Sequence, residues 1–330
     1  MLKGLFILGA DNYERIYGPA EREDIHQLVE IYAPPQTAAD VAANPAILQD
    51  ADLIFSGWGG PCMDADFLAA APRLKAVFYG AGSVRGIVTD AFWESGIVIT
   101  SAAAANAIPV AEFTLSQIIF CLKHGWYHAL EMKRKGQKVK RRAVPGAYGS
   151  TVGLISLGMI GRRVAELLKL LDVKVIAYDP FVPAQTAAEL GVEMVGLDDV
   201  FERADVVSLH TPWLKETEGM ITGAHFARMK PNAAFINTAR GAVVREDEMI
   251  AVLSQRPDIC AVLDVTHPEP PIPRSPLYTL PNVVLTPHIA GSVGPECWRM
   301  GRYMVDELRR YLDGEPLRYA ITKAQFERMA

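Results

Sequence analysis

The sequence predicts an α/β protein whose two domains each contain a parallel β-sheet. Short apolar runs alternate with helix-forming segments along the chain, which is the pattern of successive β–α units. The runs in the second half are apolar almost throughout, as strands covered by helices on both faces are. A length of 330 residues suits about two domains.

The first strands are expected at GLFIL (4–8), ADLIFSGW (51–58) and LKAVFYG (74–80). The N-terminus is interpreted as a strand rather than a signal peptide, because its apolar run follows one lysine and ends at Asp11. A second series begins near the middle of the chain. Its strands are expected at residues 151–156, 172–179, 204–210, 232–238, 260–265 and 282–288. An amphipathic helix at 295–312 is expected to return to the first lobe.

One long helix is predicted between the two series, from 105 to 133, because its apolar residues recur with helical spacing. Such a helix is roughly 40 Å long, enough to connect two lobes or to form a subunit interface. The apolar tract at 102–122 contains Asn106, Pro109 and Glu112, and we consider it too polar to span a membrane.

Charge and cysteine content favour small-molecule chemistry in a reducing cytoplasm. The net charge of −5 and the pI of about 5.9 provide no positive field that would attract nucleic acid or a membrane. The basic run KRKGQKVKRR, residues 133–142, is more simply a solvated helix end and loop. The four cysteines are far apart and form no disulfide framework or zinc pattern, so no metal is expected.

The segment GLISLGMIG, residues 153–161, nearly matches the dinucleotide-binding pattern G-x-G-x-x-G, but Ser156 replaces its first glycine. It lies between a predicted strand and a predicted helix, which is where this pattern binds a pyrophosphate. Gly158 would let the backbone approach the phosphates, and Gly161 would permit close helix–strand packing. Serine fits the first position if its φ is negative.

Asp179 ends the next predicted strand. An acidic residue about 20 positions beyond the turn binds the ribose hydroxyls in folds of this kind. We therefore expect NAD as the cofactor rather than NADP, because a carboxylate at this position repels a 2′-phosphate. The alternative is that Asp179 serves only as a turn residue before Pro180.

Three polar side chains follow three successive predicted strands: Arg240, Glu269 and His288. Arginine can bind a carboxylate through two hydrogen bonds, and histidine can exchange a proton near neutral pH. A neighbouring glutamate can orient the imidazole. Together these groups suit the reduction of a 2-oxo acid or the reverse oxidation, although each alone also fits an ordinary structural role. His210 is the alternative acid/base, but it is interpreted as lining the cofactor, and His267 as lining the cofactor or lying in a loop.

Several segments together resemble the D-isomer-specific 2-hydroxyacid dehydrogenase family, which includes phosphoglycerate dehydrogenases and glyoxylate and hydroxypyruvate reductases. The resemblance extends from about Gly80 to Gly314 and is strongest in TVGLISLGMIG, VSLHTPWLKETEGMI, MKPNAAFINTARGAVVREDEMI, LDVTHPEP and VVLTPHIAGS. It implies an NAD-dependent oxidoreductase that interconverts a small 2-oxo acid and its D-2-hydroxy acid. Arg240 would bind the substrate carboxylate, His288 would be the acid/base and Glu269 would assist it.

The resemblance also implies contacts to the cofactor and to the substrate. Asp264 is similar to an aspartate that contacts the nicotinamide carboxamide. The expected cofactor-binding residues are Ser156, Gly158, Met159, Ile160, Gly161, Asp179, His210, Thr211, Pro212, Thr238, Ala239, Asp264 and Gly291. The loop YGAGSV is similar to one whose backbone amides bind the substrate carboxylate. Its expected contacts are Gly82, Ser83 and Val84.

The domain organisation that the resemblance implies is a Rossmann-type NAD-binding domain inserted into a flavodoxin-like substrate-binding domain. The inserted domain is expected at 102–294, and the substrate-binding domain at 1–101 together with 295–330. The chain would cross twice between them. The long predicted helix would form the first crossing and the contact of a homodimer.

One departure from the family and two alternative functions stay open. Arg85 stands near a position where many relatives carry Asp or Asn, so it either selects a second acidic group on the substrate or points to solvent. A NADH-dependent regulatory binding protein is one alternative, and a phosphite- or formate-type dehydrogenase is the other. Glu269 argues against the formate branch, which uses glutamine at that position.

Overall fold

The computed structural model describes residues 1–327 and divides into two compact units. Unit 1 comprises Met1–Asn106 with Ser292–Ala330, and unit 2 comprises Ala107–Gly291. The predicted boundaries after residues 101 and 294 lie a few residues from these. Residues 328–330 of the predicted C-terminal segment lie outside the described residues.

The helices are numbered in chain order through both units. They are α1 (Asn12–Ile16), α2 (Pro19–Leu28), α3 (Ala38–Ala43), α4 (Ala65–Ala70), α5 (Asp90–Glu94), α6 (Ala103–Leu122), α7 (Gly125–Lys135), α8 (Met159–Leu168), α9 (Ala184–Glu189), α10 (Leu197–Arg203), α11 (Gly223–Arg228), α12 (Glu246–Gln255), α13 (Glu296–Leu312) and α14 (Lys323–Phe326). Three short 3₁₀ helices lie at Pro45–Asp50, Gly241–Val243 and Pro276–Tyr278.

Unit 1 contains a parallel sheet of five strands in the order β2-β1-β3-β4-β5. The strands are β1 (Lys3–Ile7), β2 (Glu30–Ile31), β3 (Leu53–Ser56), β4 (Ala76–Tyr79) and β5 (Val98–Ser101). The three strands predicted in this lobe are confirmed as β1, β3 and β4. The other two were missed. Strand β2 has only two residues, and β5 is followed almost at once by the apolar start of α6, so no polar boundary separates it from the helix.

Both faces of the unit 1 sheet are buried. Successive side chains of β1 belong to two different apolar cores, with Leu5 in one and Phe6 in the other. Helix α13 covers the face to which Phe6 points, so the predicted C-terminal helix and its return to the first lobe are confirmed. Arg302 of α13 forms ion pairs with Glu21 and Asp24 of α2, which connect the two helices beside that core.

Unit 2 contains a parallel sheet of seven strands in the order β12-β11-β10-β9-β6-β7-β8. The strands are β6 (Thr151–Ile155), β7 (Lys174–Tyr178), β8 (Val192–Met194), β9 (Val206–Leu209), β10 (Ala234–Asn237), β11 (Cys260–Leu263) and β12 (Val283–Leu285). All six predicted strands are confirmed, and the edge strand β8 was missed. The order reverses at β6, and ligands bind beyond the carboxyl ends of the strands at such a switch point.

The single helix predicted from 105 to 133 is wrong, because the chain forms α6 and α7 with a break between them. His124 adopts a left-handed backbone conformation with a φ of 48°. A Cβ at Gly125 would overlap the ring of Phe120, which packs edge-on against Trp126 at 4.9 Å. The Phe120 ring therefore occupies the space beside Gly125 at the break. Helical periodicity in the sequence contains no sign of this contact, so it could not predict the break.

Among residues 1–327, α6 is the one helix that is long and apolar enough to cross a membrane. The tract that we considered too polar thus passes a test of length and composition. Half of its most apolar window is buried inside the protein, and core helices of soluble proteins pass the same test. The finding is weak evidence for a membrane span.

Candidate active site

The turn after β6 has the geometry of a dinucleotide turn, but Ser156 differs from our expectation. Its φ is +79°, so the predicted negative φ is wrong. Three hydrogen bonds to the end of β7 hold this conformation. The Ser156 amide donates to the carbonyl of Tyr178 at 2.8 Å, and its hydroxyl donates to Asp179 Oδ2 at 3.2 Å. The Leu157 amide donates to the same carboxylate oxygen at 2.8 Å.

The start of α8 fits the pyrophosphate of a dinucleotide. The helix begins after Gly158 without a side-chain cap, so its first amide groups and the helix dipole favour an anion there. A Cβ at Gly158 would meet only the Ser156 hydroxyl, at 4.0 Å, which leaves room for a ligand against the backbone. Gly161 has the opposite requirement, because a Cβ there would overlap the Ser156 carbonyl. Met159 and Ile160 supply the first two amides of the helix.

Asp179 binds the backbone of the turn, in line with the alternative that it is a turn residue. In addition to its bonds from the Ser156 hydroxyl and the Leu157 amide, its Oδ1 accepts from the Phe181 amide at 2.8 Å. A carboxylate has about four acceptor sites. Asp179 can therefore hold the turn and still accept hydrogen bonds from ribose hydroxyls.

Arg240, Glu269 and His288 follow β10, β11 and β12, which are neighbours in the sheet. His288 Nδ1 and Glu269 Oε1 are 2.6 Å apart, within hydrogen-bonding distance. The two side chains are 48% and 40% exposed, so a ligand can reach them. The structure thus brings together the two residues that the sequence pattern paired.

Asp264 supports the loop that carries His288. Its Oδ1 accepts from the Thr286 hydroxyl at 2.6 Å and from the Ile289 amide at 2.9 Å. Its Oδ2 accepts from the Ala290 amide at 2.8 Å, and its carbonyl accepts from the His288 amide at 3.0 Å. The carboxylate is almost fully buried. Its contacts fix the backbone on the C-terminal side of a histidine whose φ is 53°.

Asn237 supports the turn that carries Arg240. Its side chain accepts from the Ala239 amide at 3.0 Å and donates to the Arg240 carbonyl at 3.1 Å. The guanidinium of Arg240 donates to the Ala239 carbonyl at 2.6 Å. Burial lowers the pKa of Arg240 and the charge of Glu269 opposes that shift, but arginine stays protonated at any physiological pH.

The loop that carries Glu269 is attached to the same turn. A Cβ at Gly241 would overlap the backbone of Thr266, so the two segments pack backbone to backbone. Glu246 Oε2 accepts from the His267 amide at 3.0 Å, and the Thr266 hydroxyl donates to the Pro268 carbonyl at 2.8 Å. Burial raises the pKa of Glu246. These contacts hold the Arg240 turn and the Glu269 loop against each other.

His210 lies beneath the dinucleotide turn rather than in an open position. Its ring is buried, and its Nε2 lies 3.1 Å from the Ser208 hydroxyl. Burial lowers the pKa of His210 to about 3, so the ring is neutral at pH 7. A buried neutral imidazole is a poor candidate for the acid/base. His267 is exposed, and its ring is 5.2 Å from the ring of Trp213.

The remaining expected cofactor residues line the carboxyl edge of the unit 2 sheet. Thr211, Thr238 and Ala239 are buried, whereas Pro212 and Gly291 are partly exposed. The Thr238 hydroxyl lies 3.0 Å from that of Thr114, and the Thr211 hydroxyl donates to the Ile155 carbonyl at 3.4 Å. Both hydroxyls thus have hydrogen-bond partners within the protein, so the two threonines contribute mainly to the form of the site at this edge.

In unit 1, Gly82, Ser83 and Val84 follow β4. The Ser101 hydroxyl donates to the Gly82 carbonyl at 2.5 Å, and Val84 is fully buried. The loop is therefore anchored to the sheet on one side and to the apolar core on the other.

Arg85 is exposed, as one of the two interpretations from the sequence expects, and its side chain also contacts the end of the chain. Its guanidinium donates to the carbonyls of Phe326 and Glu327 at 3.0 and 3.2 Å. It also lies 5.0 Å from the centroid of the Phe326 ring. The side chain thus binds the C-terminal segment of unit 1, directly after the Gly82–Val84 loop.

Sequence reasoning missed three supporting residues: Asn237, Glu246 and Thr286. Asn237 did carry a signal, since it is the one polar residue in the apolar strand AFIN and is buried. Glu246 and Thr286 gave no such signal, because polar residues at a helix start or after a strand are ordinary. Their roles depend on loops that meet only in the folded chain.

Comparison with known proteins identifies the family. Residues 115–290 match the model described as "D-isomer specific 2-hydroxyacid dehydrogenase, NAD binding domain". The chain is 38% identical over 253 residues to an (S)-sulfolactate dehydrogenase of Chromohalobacter salexigens, covering 76% of this chain and 81% of that protein. It is 33% identical over 267 residues to a D-3-phosphoglycerate dehydrogenase of Archaeoglobus fulgidus, covering 80% of this chain and 50% of that protein. The chain therefore spans about half the length of the curated phosphoglycerate dehydrogenases that it matches.

Solved structures confirm the fold. The apo form of Rhodotorula graminis D-mandelate dehydrogenase superposes with a TM-score of 0.80 at 24% identity, over 98% of both chains. At this identity the similarity shows the two parallel-sheet α/β domains and nothing finer. The family match lies within unit 2, which is thereby an NAD-binding domain, and NAD is the cofactor. The chain belongs to the D-isomer specific 2-hydroxyacid dehydrogenase family of NAD-binding oxidoreductases.

Proposed function

We propose that the protein interconverts a small 2-oxo acid and its D-2-hydroxy acid, with NAD as the hydride carrier. The observation that carries this proposal is the 2.6 Å contact between His288 and Glu269. It lies at the carboxyl edge of an NAD-binding sheet, and Arg240 follows the neighbouring strand end. A proton donor and a carboxylate anchor are the two protein groups that this reaction needs.

Within this proposal, residues of unit 2 hold the cofactor. The uncapped start of α8, with the amides of Met159 and Ile160, binds the pyrophosphate, and Asp179 accepts from the ribose hydroxyls. When bound, the reduced nicotinamide supplies the hydride that C2 of the 2-oxo acid receives. Asp264 both supports the His288 loop and lies at the edge where the nicotinamide carboxamide is expected.

His288 moves the proton. Glu269 accepts the hydrogen bond from Nδ1–H, which selects the tautomer and fixes the ring orientation. Protonated His288 donates from Nε2 to the ketone oxygen during reduction, and neutral Nε2 accepts the hydroxyl proton during oxidation. The Glu269 carboxylate stabilises the imidazolium in both directions.

Arg240 binds the substrate carboxylate. Its planar guanidinium can form two parallel hydrogen bonds with the carboxylate, which orients the 2-oxo group as well as binding it. The loop at Gly82, Ser83 and Val84 is proposed to add backbone amides to the same carboxylate. Residues 1–101 and 295–330 would then form the substrate-binding domain, and 102–294 the NAD-binding domain.

We further propose a cytoplasmic homodimer that forms through α6 and α7. Five large apolar side chains on these helices and on the segment after them are exposed. They are Ile119, Phe120, Met132, Val144 and Tyr148. Several exposed apolar side chains on one segment of the chain favour a protein interface there.

The test is the absorbance of NADH in the presence of a panel of 2-oxo acids. The panel includes unsubstituted acids and acids with a second sulfonate or phosphate group, because relatives are named for sulfolactate and phosphoglycerate. We expect NADH oxidation with at least one member and a product of the D configuration by chiral chromatography. NADH binding without turnover of any 2-oxo acid would favour the regulatory binding protein. Reduction of NAD⁺ by phosphite or formate, in a separate assay, would favour the other alternative.

A further inference from the structure

We propose that Arg15, supported by the ring of Trp58, binds a second anionic group of the substrate. The favoured 2-oxo acid then carries a carboxylate, sulfonate or phosphate at the end remote from its 2-oxo acid group. Arg15 lies on α1, Trp58 follows β3, and both belong to unit 1. The inference rests on the proposed reaction and narrows its substrates to acids with two anionic groups.

Helix α1 lies against the carboxyl ends of β3 and β4. Gly57 and Gly80 directly follow these two strands, and a Cβ at either position would overlap the side chain of Ile16. The hydroxyl of the next residue, Tyr17, donates to the carbonyl at the end of β3 at 2.8 Å. Arg15 immediately precedes Ile16, so the helix places it at the same edge of the unit 1 sheet.

The loops after β1 and β3 meet where the strand order of the unit 1 sheet reverses. The Trp58 carbonyl accepts from the Gly9 amide at 2.8 Å and from the Asn12 side chain at 3.0 Å. A Cβ at Gly59 would overlap the Gly9 backbone, so the two loops are in direct contact. Ligands of open α/β sheets bind at such a switch point. Trp58 is therefore held at an edge that suits a ligand.

The guanidinium of Arg15 lies over the ring of Trp58. Its Cζ atom is 4.8 Å from the ring centroid, which is a cation–π contact. The indole is partly buried and packs against both apolar cores of unit 1, so it provides a fixed surface for the guanidinium. Arg15 itself is exposed. Its planar group of N–H donors can therefore bind an oxyanion through two hydrogen bonds while one face rests on the indole.

The charge of Arg15 is available to a ligand. Among the described residues 1–327, no acidic side chain forms an ion pair with Arg15, and the adjacent Glu14 pairs with Arg22 at 3.1 Å instead. Arg85, which the sequence suggested for a second acidic group, donates to carbonyls near the end of the chain. Arg15 thus presents a positive charge at the switch point, where an anion can neutralise it.

The Arg15–Trp58 pair is next to the loop that we propose for the first carboxylate. The Gly82–Val84 loop follows β4, which is the neighbour of β3, and Ser56 pairs with Tyr79 at the ends of these two strands. Neighbouring strands are about 4.8 Å apart, so loops that leave them can contact both ends of one small acid. Attraction to Arg15 strengthens the binding of acids with a second anion and adds nothing for acids without one.

The test compares 2-oxo acids that differ in their second group. Oxaloacetate and 3-phosphohydroxypyruvate carry a second anion, whereas their counterparts 4-methyl-2-oxopentanoate and hydroxypyruvate do not. With NADH, we expect kcat/KM of the wild type to be about 10- to 100-fold higher for one of the first two acids than for its counterpart. Arg15→Gln should remove most of this ratio, mainly by raising KM for the acid with two anionic groups. Equal losses for both members of a pair would show that Arg15 binds the carboxylate that they share, and would overturn the proposal.

Arg22→Gln is the matched control. Arg22 also lies over an aromatic ring, that of Tyr13 at 5.1 Å, but it pairs with Glu14. The control should leave the ratio unchanged. Trp58→Leu should lower the ratio several-fold, and Trp58→Phe should retain it, because a phenyl ring still offers a face to the guanidinium. A ratio that survives in Arg15→Gln, or that falls equally in Arg22→Gln, would overturn the proposal.

Binding without turnover separates this inference from the proposed reaction. D-Malate, D-3-phosphoglycerate and their counterparts D-2-hydroxy-4-methylpentanoate and D-glycerate are titrated by calorimetry into the NADH complex, where no hydride can move because both partners are reduced. We expect one of the first two acids to bind about tenfold more tightly than its counterpart, and Arg15→Gln to remove the difference. If no 2-oxo acid is turned over, the proposed reaction fails and the titration still decides the role of Arg15. Turnover of 2-oxo acids together with equal binding within both pairs would overturn the inference and leave the reaction standing.

Discussion

Arg240 depends on Asn237, which binds both sides of the turn that carries it. Lysine at position 240 would keep the charge but lose the planar pair of donors. We predict that Arg240→Lys raises KM for the 2-oxo acid by about 10- to 100-fold, the equivalent of one charge-assisted hydrogen bond. Steady-state kinetics and NADH titration measure the two affinities separately.

A matched control for this substitution is Arg245→Lys. Arg245 lies five positions after Arg240 in the chain. It is exposed and pairs with Glu248. This control should leave both KM for the 2-oxo acid and the affinity for NADH unchanged. A loss of NADH affinity equal to the rise in KM for Arg240→Lys would show that Arg240 supports the cofactor site instead.

His210 should make the stability of the protein depend on pH. Its pKa is about 3 in the folded state, whereas an unfolded histidine has a pKa of about 6.5. Between these values the unfolded chain binds more protons than the folded one. The free energy of unfolding therefore falls as the pH falls through this window, by about 2 kcal/mol from pH 7 to pH 5 for this group alone.

Urea unfolding of wild type and His210→Asn at pH 7 and pH 5 measures this effect. The wild type should lose about 2 kcal/mol more than the variant over this interval. His26→Asn, at an exposed position on α2, is the control and should lose as much as the wild type. Equal losses in wild type and His210→Asn would mean that His210 can be protonated in the folded protein.

At the scale of elements, the turn between β6 and α8 combines a strained serine with the carboxylate that holds it. Asp179 keeps acceptor capacity beyond its bonds from the turn, and we propose that this capacity serves the ribose hydroxyls. We predict that Asp179→Asn lowers the ratio of kcat/KM for NADH over NADPH by about tenfold, because a neutral amide no longer repels the 2′-phosphate.

Asp172→Asn is the charge-matched control for Asp179→Asn. Asp172 precedes β7, whereas Asp179 follows it, so the two carboxylates lie at opposite ends of the same strand. The control should leave the cofactor ratio unchanged. An unchanged ratio in Asp179→Asn as well would remove the ribose role and leave Asp179 as a turn residue.

The C-terminal segment supports the loop after β4 through Arg85. Its bonds to the carbonyls of Phe326 and Glu327 connect the Gly82–Val84 loop to α14. We predict that Arg85→Ala and Phe326→Ala each raise KM for the 2-oxo acid several-fold, with unchanged NADH affinity, because a loosened loop positions the carboxylate poorly.

The double variant separates this contact from independent effects. Because Arg85 and Phe326 are the two sides of one contact, their effects should not add. Full additivity in the double variant, or a loss of NADH affinity in Arg85→Ala, would show that the contact does not act through the substrate loop.

At the scale of the whole molecule, the sequence was sufficient for the fold class and for most strands. Apolar runs bounded by polar residues predict buried parallel strands, and nine of the twelve strands within residues 1–327 were predicted in this way. The alignment of Arg240, Glu269 and His288 at one sheet edge also followed from the sequence, since parallel strands end at the same edge.

What could not be predicted depends on tertiary contacts. The positive φ of Ser156 requires the carboxylate of Asp179, and the break at His124 requires the ring of Phe120 against Gly125. The position of Arg85 requires a segment more than 200 residues away in the chain. Local periodicity contains no information about partners that only the folded chain brings together.

The most direct test of the account compares His288→Asn with His210→Asn. Both are measured for NADH binding and for turnover of the best 2-oxo acid under identical conditions. We predict that His288→Asn binds NADH normally but loses about 10²- to 10⁴-fold in kcat, the size of a general acid–base contribution, while His210→Asn retains turnover. An active His288→Asn beside an inactive His210→Asn that still binds NADH would contradict the assignment of the acid/base to the Glu269–His288 pair.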